Sequence, residues 1–72
     1  MNDREKIRYR LICNHLNFAW LIEMLEKRGI ETSSPVLSAI LAGTRRGPSV
    51  DKLITESLDI LDWYDRQIGG TT

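Results

Sequence analysis

The 72-residue sequence predicts an all-α fold, a compact four-helix domain with a long C-terminal helix. Two observations carry this reading. Apolar residues recur at intervals of three and four in four successive segments, and residues suited to cap or stop a helix stand between those segments. No segment has the pattern of a strand. The length supports one domain, residues 1–72, with a core so small that its helices must pack well or a partner must cover apolar surface.

The first helix begins near Asp3. Asn2 with Glu5 three residues on has the form of a capping box, and Ile7, Leu11, Ile12 and Leu16 follow at helical spacing. It ends near His15, which suits the negative end of a helix dipole. Asn17 is a good N-cap for a second helix running to about Arg28, with Trp20, Leu21, Met24 and Leu25 facing inward and Gly29 as its C′ stop. Ile30 anchors the turn that follows. Ser34 before Pro35 places an N-cap ahead of a first-turn proline, whose missing N–H needs no partner there, and the third helix runs to Gly43 on a core stripe of Leu37, Ile40 and Leu41. Thr44 to Pro48 form a short basic loop. The last helix covers about 49–68, with Val50, Leu53, Ile54, Leu58, Leu61, Tyr64 and Ile68 on or near one face and Ile60 and Trp63 beside it. Gly69 to Thr72 form a frayed tail. Trp20 is expected in the core, and Trp63 and Tyr64 against the first helix or in a subunit interface.

Composition narrows the functional classes. The formal net charge is zero and the sequence pI about 6.6, whereas a free-standing DNA binder usually carries a basic excess. Chemistry has little to work with: there is one His, no glycine-rich phosphate loop, no nucleophile beside a base and no metal-ligand cluster, so no enzyme, cofactor, metal or small-molecule substrate is expected. The single Cys13 has no partner for a disulfide or a zinc site and reads as a buried thiol in a reduced, cytoplasmic protein. No apolar run reaches the length of a membrane span, and MNDREKIRYR lacks the apolar stretch of a signal peptide.

The charges cancel but are unevenly placed. Residues 1–10 hold Arg4, Lys6, Arg8 and Arg10 against Asp3 and Glu5, while residues 49–72 hold Asp51, Glu56, Asp59, Asp62 and Asp65 against Lys52 and Arg66. Such asymmetry can steer a partner; it also fits solvated faces with pairs such as Glu23 with Lys27 and Asp62 with Arg66.

The segment WLIEMLEKRGIETSSPVLSAILAGTRR, Trp20 to Arg46, reads as two short helices around a turn, closed by a glycine and an arginine pair. On these residues, Trp20 to about Leu61 resembles the lambda-repressor-like (Xre and Cro type) helix-turn-helix of small temperate-phage regulators, with the motif at about 18–43. Leu21 and Leu25 match the core positions of its first helix, Leu37, Ile40 and Leu41 those of its recognition helix, and Gly43 the glycine that closes it. The turn Lys27 to Thr32 is longer than usual. The resemblance implies that bases would be read from Ser34, Pro35, Ser38, Ala39 and Ala42, and that Arg45 and Arg46 would contact phosphate. Here the sequence departs from the family. Serine offers one promiscuous hydrogen bond and alanine a methyl contact, and neither makes the bidentate pair that discriminates bases.

Two readings follow. In the first, the chain is similar to the antirepressors, or modulators of repression, of Gram-positive temperate phages, which act in a lysis–lysogeny switch by binding the DNA-binding domain of a partner repressor. Its partner surface would comprise Ser34, Pro35, Val36, Ser38, Ala39 and Ala42 of the third helix, with Glu31 and the acidic Asp59, Asp62 and Asp65 imitating the charge of DNA. DNA would then be touched weakly or in a ternary complex. In the second, the chain is a Cro-like operator-binding dimer, joined through Ile60, Trp63 and Tyr64 and holding phosphate with Arg45, Arg46 and the basic first helix.

Overall fold

The computed structural model describes the backbone of residues 2–68 and the side chains of 2–67. The expected tail Gly69–Thr72 and the inward side chain of Ile68 lie outside the described residues. Four helices and no strands are present among them: α1 (Asp3–Cys13), α2 (Phe18–Lys27), α3 (Ser34–Ala42) and the long α4 (Pro48–Ile68).

Local chemistry sets the helix boundaries. The Asn2 side chain accepts the Glu5 N–H at 2.8 Å, and Asn17 accepts the Trp20 N–H at 2.9 Å. Each thereby satisfies a first-turn donor that has no partner inside its helix. The third helix departs from expectation by one residue: Ser33, not Ser34, is the N-cap, its side chain makes no capping bond, and Pro35 stands one place further in. α4 likewise starts at Pro48, inside the expected loop, since a proline fits the first helical position and the preceding Gly47 supplies the carbonyl for the Asp51 N–H at 3.0 Å.

The first three helices end in the same way. After α2 the Ile30 N–H reaches back to the Leu25 carbonyl at 2.9 Å with Gly29 left-handed at φ 83°, and after α3 the Thr44 N–H reaches the Ala39 carbonyl at 3.1 Å with Gly43 at φ 86°. α1 ends with the Leu16 N–H on the Leu11 carbonyl at 2.8 Å, but the left-handed position, φ 57°, belongs to His15. His15 therefore sits in the backbone slot that glycine fills twice elsewhere, at a steric cost of about 1 kcal/mol. Its backbone conformation is thus part of how α1 ends.

α1 and α2 each pack against both α3 and α4. The core consists of Ile7 and Leu11 from α1, Leu21 and Leu25 from α2, Leu37, Ile40 and Leu41 from α3, and Val50, Leu53, Ile54, Ile60 and Leu61 from α4. Leu16, Phe18, Trp20, Met24, Ile30, Val36 and Leu58 pack partly buried around it. The radius of gyration, 11.7 Å, matches the roughly 11 Å expected of a compact chain this long.

Several inward assignments are corrected. Ile12 is 71% exposed and Cys13 is exposed too, because α1 buries only the stripe through Ile7 and Leu11, and residues one and two places beyond Leu11 turn out of it. Trp20 is half-buried; its ring meets Tyr64 of α4 edge to face, with centroids 5.2 Å apart, so Tyr64 packs on α2 where α1 had been expected. Ile60 is fully buried and Trp63 is 38% exposed, so the set proposed for a dimer face is split between core and surface.

At the centre of the α4 stripe stands Ser57, fully buried, its hydroxyl without a hydrogen-bond partner. An unpaired buried hydroxyl costs about 1–3 kcal/mol, and alanine is the better helix former. Ser57→Ala should therefore raise stability by about 1 kcal/mol, read as a higher urea midpoint at unchanged slope. A lower midpoint would mean that the hydroxyl is satisfied in solution.

Candidate interaction surfaces

The third helix is too short and too apolar to turn more than one side to water. Leu37, Ile40 and Leu41 bury one arc, and Ser34, Ser38 and Ala42, spaced by four, form the exposed ridge, with Pro35 exposed beside them. Val36 and Ala39 are half-buried at its margin. Of the six α3 residues expected to meet a partner, four thus face solvent and two are partly withdrawn into the fold. The helix is held from below: the Arg4 guanidinium of α1 donates to the Ile40 carbonyl at 2.9 Å, and the Thr44 hydroxyl donates to the Ala39 carbonyl at 2.9 Å. Both bonds add a second donor to last-turn carbonyls that the Thr44 and Gly43 N–H groups already reach.

Beside this ridge lies an open groove of about 160 Å³, lined in part by Glu31, Thr32, Val36, Arg45 and Ser49. Three residues singled out in the sequence, Glu31, Val36 and Arg45, are brought together there. The Thr32 hydroxyl is buried without a partner. Arg45 and Arg46 are exposed in the loop after α3, and neither enters an ion pair among the described residues.

The acidic residues of α4 are differently placed from the expected open stripe. Glu56, Asp59, Asp62 and Asp65 recur every third residue, and two arginines from other helices straddle the row. Arg10 of α1 forks across Asp62 at 2.8 Å and Asp65 at 2.5 Å. Arg28, just past α2, reaches Glu56 at 3.0 Å and Asp59 at 2.6 Å with one nitrogen. Neither expected pair, Glu23 with Lys27 or Asp62 with Arg66, forms an ion pair among the described residues, and Asp62 is taken by Arg10 instead. Burial opposes the charge on Arg10, but its hydrogen bonds to Asp65 and Asp62 outweigh it and raise its pKa above the ordinary arginine value. The hydrogen bonds that Arg28 donates to Asp59 and Glu56 raise its pKa as well. A raised cation pKa stabilises the fold below the arginine range and is lost only as the pH climbs through it, so both guanidiniums stay charged in ordinary buffers.

The carboxylates nevertheless remain open to solvent, with Asp59 61% and Asp62 55% exposed. Four carboxylates against two guanidiniums leave two negative charges uncompensated. The row is at once a tie between helices and an anionic surface. Arg10 and Glu56 enter the sequence reading only as parts of the uneven charge and Arg28 only as a helix end; their pairing has no local signal beyond the period of three shared by the four acids.

A third surface lies across α1 and the start of α2. Tyr9 and Ile12 are among the large apolar side chains most open to solvent, and Ile12 is part of a groove of about 290 Å³ lined also by Arg8, Leu11, Leu16, Asn17 and Phe18. Sequence periodicity assigned Ile12 and Leu16 to the core and so concealed it.

Among the described residues no group of three or more His, Cys, Asp or Glu is placed to hold a metal ion. No described helix is long and apolar enough to cross a membrane. No family model matches the chain, and no curated protein or solved structure matches it either.

The ion-pair row generates a prediction. Replacing Asp62 and Asp65 together by asparagine should lower stability by about 1 kcal/mol in dilute buffer, because exposed pairs are weak even when forked. The deficit should shrink near 1 M salt, where the screening length falls to about 3 Å. Urea unfolding at two ionic strengths measures it, and a loss that ignored salt would assign the effect to packing.

Proposed function

We propose that the chain is a phage-type helix-turn-helix regulator of a lysis–lysogeny switch that works as an antirepressor, binding the DNA-binding domain of a partner repressor and blocking or altering its hold on the operator. The observation that carries this reading is the outer ridge of α3. Its solvent-facing side chains are Ser34, Pro35, Ser38 and Ala42, a low and nearly uncharged surface onto which another protein's helix can seat closely. A helix that reads base edges needs side chains long enough to reach them and able to bond at two points, and these are neither.

Charge supports the same reading. The chain has no net positive charge with which to displace counterions from DNA, whereas the residual negative charge along Glu56, Asp59, Asp62 and Asp65 suits a basic DNA-binding face. The half-buried Val36 and Ala39 would form the floor of the contact and Glu31 its edge.

The exposed Arg45 and Arg46 favour a second reading, direct operator binding in the manner of Cro, or a ternary complex in which these arginines touch phosphate. The dimer face that reading requires cannot include the fully buried Ile60, and rests on Trp63 and the accessible part of Tyr64.

Size-exclusion chromatography of the chain with the repressor encoded beside its gene, with and without operator DNA, tests the proposal. Ala42→Arg should weaken that complex at least about tenfold, through steric obstruction and a charge like the partner's, while circular dichroism stays unchanged. Full binding by the folded variant would move the interface off α3.

The chain alone should hold duplex DNA weakly and with little sequence preference. Replacing Arg45 and Arg46 by alanine should reduce the salt dependence of the residual binding by about two phosphate contacts. A sequence-specific complex in the nanomolar range at physiological salt would establish the Cro-like reading instead.

A further inference from the structure

The groove across α1 and α2 belongs to neither reading above, since no residue of α3 or α4 lines it. Its walls are Leu11, Ile12, Leu16 and Phe18, and its polar lining is Arg8 and Asn17. Exposure here is costly: Ile12, in the groove wall, is 71% open to water, where a small domain gains nothing from it in isolation. At about 290 Å³ the site lies at the lower bound of small-molecule pockets, roughly 300–1,000 Å³, and it is an open trough with few polar groups to orient a ligand. Its form suits the side chains of a macromolecule.

Charge selects among such partners. Of the cations on α1, Arg10 is held by Asp62 and Asp65 and Arg4 donates to the Ile40 carbonyl, whereas Lys6 and Arg8 are exposed and enter no ion pair among the described residues, and of these two Arg8 lines the groove. The groove also runs to the start of α2, whose first turn carries no acidic residue to offset the positive end of its dipole. Both features place positive potential along one edge of the apolar trough. Glu5 is the nearest carboxylate in sequence on α1, one turn before Arg8, and does not line the groove.

We propose that this groove is a second docking site, and that its occupant is an amphipathic helix of another protein that sets apolar side chains over Ile12, Leu16 and Phe18 and runs Asp or Glu along Arg8 and the start of α2. The inference goes beyond the antirepressor reading and does not depend on it.

The test uses the isotopically labelled full chain and two peptides of roughly 18 residues, long enough to hold a helix. Both carry leucine at helical intervals; one has glutamate and the other lysine on the flank. The acidic peptide should shift amide resonances around Arg8, Ile12 and Leu16 to Phe18 and bind at least about tenfold more tightly than the basic one. Ile12→Glu, at an exposed position, should abolish binding with the spectrum otherwise intact. Arg8→Glu should reverse the preference between the peptides. Ala42→Arg should leave it unchanged, which separates this site from α3. Equal binding of the two peptides, shifts confined to α3, no shift with the acidic peptide, or indifference to Ile12→Glu would each overturn the proposal. So would a wild-type dimer in sedimentation that Ile12→Glu makes monomeric, since the groove would then be covered by a second copy of the chain.

Discussion

Burial of one stripe of α4 is the constraint from which the other contacts follow. Val50, Leu53, Ile54, Ile60 and Leu61 form a line that neither α1 nor α2 can cover alone, and both helices dock on it while α3 closes the remaining side of the same two helices. Each of these side chains contributes on the order of 1.5–3 kcal/mol when fully removed from water, far more than any exposed ion pair in the molecule. The pairs from Arg10 and Arg28 therefore do not hold the helices together so much as fix their register on α4. Two guanidiniums, Arg10 with two nitrogens and Arg28 with one, each bridge two carboxylates one turn apart and so penalise a sliding of α1 or α2 that the featureless aliphatic contact would tolerate.

How much of this was legible follows from the range of the interaction responsible. Asn2 and Asn17 act on amides three residues away, and Gly29 and Gly43 on carbonyls a turn behind, so these boundaries could be read from the chain. Ser33 and Ser34 are the same residue type side by side, and only the path of the turn decides which of them caps. The left-handed His15 was illegible for a related reason: the hydrogen bond from Leu16 to Leu11 demands that conformation, but a histidine does not advertise it.

Packing was read well where a helix is covered from two sides and badly where it is covered along a narrow stripe. Leu37, Ile40 and Leu41 on the short α3 were all placed correctly. On α1, Ile12 and Cys13 were assigned inward because apolar type was taken for apolar environment, while on α4 the polar Ser57 holds a central core position that its type would never suggest. The α3 surface residues are legible only in part: helical spacing sets Ala42 well off the core stripe, but puts Ser34 on nearly the same side as Leu41, and Ser34 is exposed because it stands at the helix end. The partners of the acidic row were not, because Arg10 and Asp65 stand 55 residues apart and nothing local joins them.

The packing of α1 against α4 also governs the order in which this molecule can be made. A chain leaving the ribosome from its N-terminus presents α1 first and α4 last, and Ile7 and Leu11 lack part of their cover until the final helix has emerged. During that interval the nascent segment can hold helical turns by its local caps but cannot close its core. Closure of the core over Ile7 and Leu11 therefore waits on α4, the element that α1 packs against most extensively.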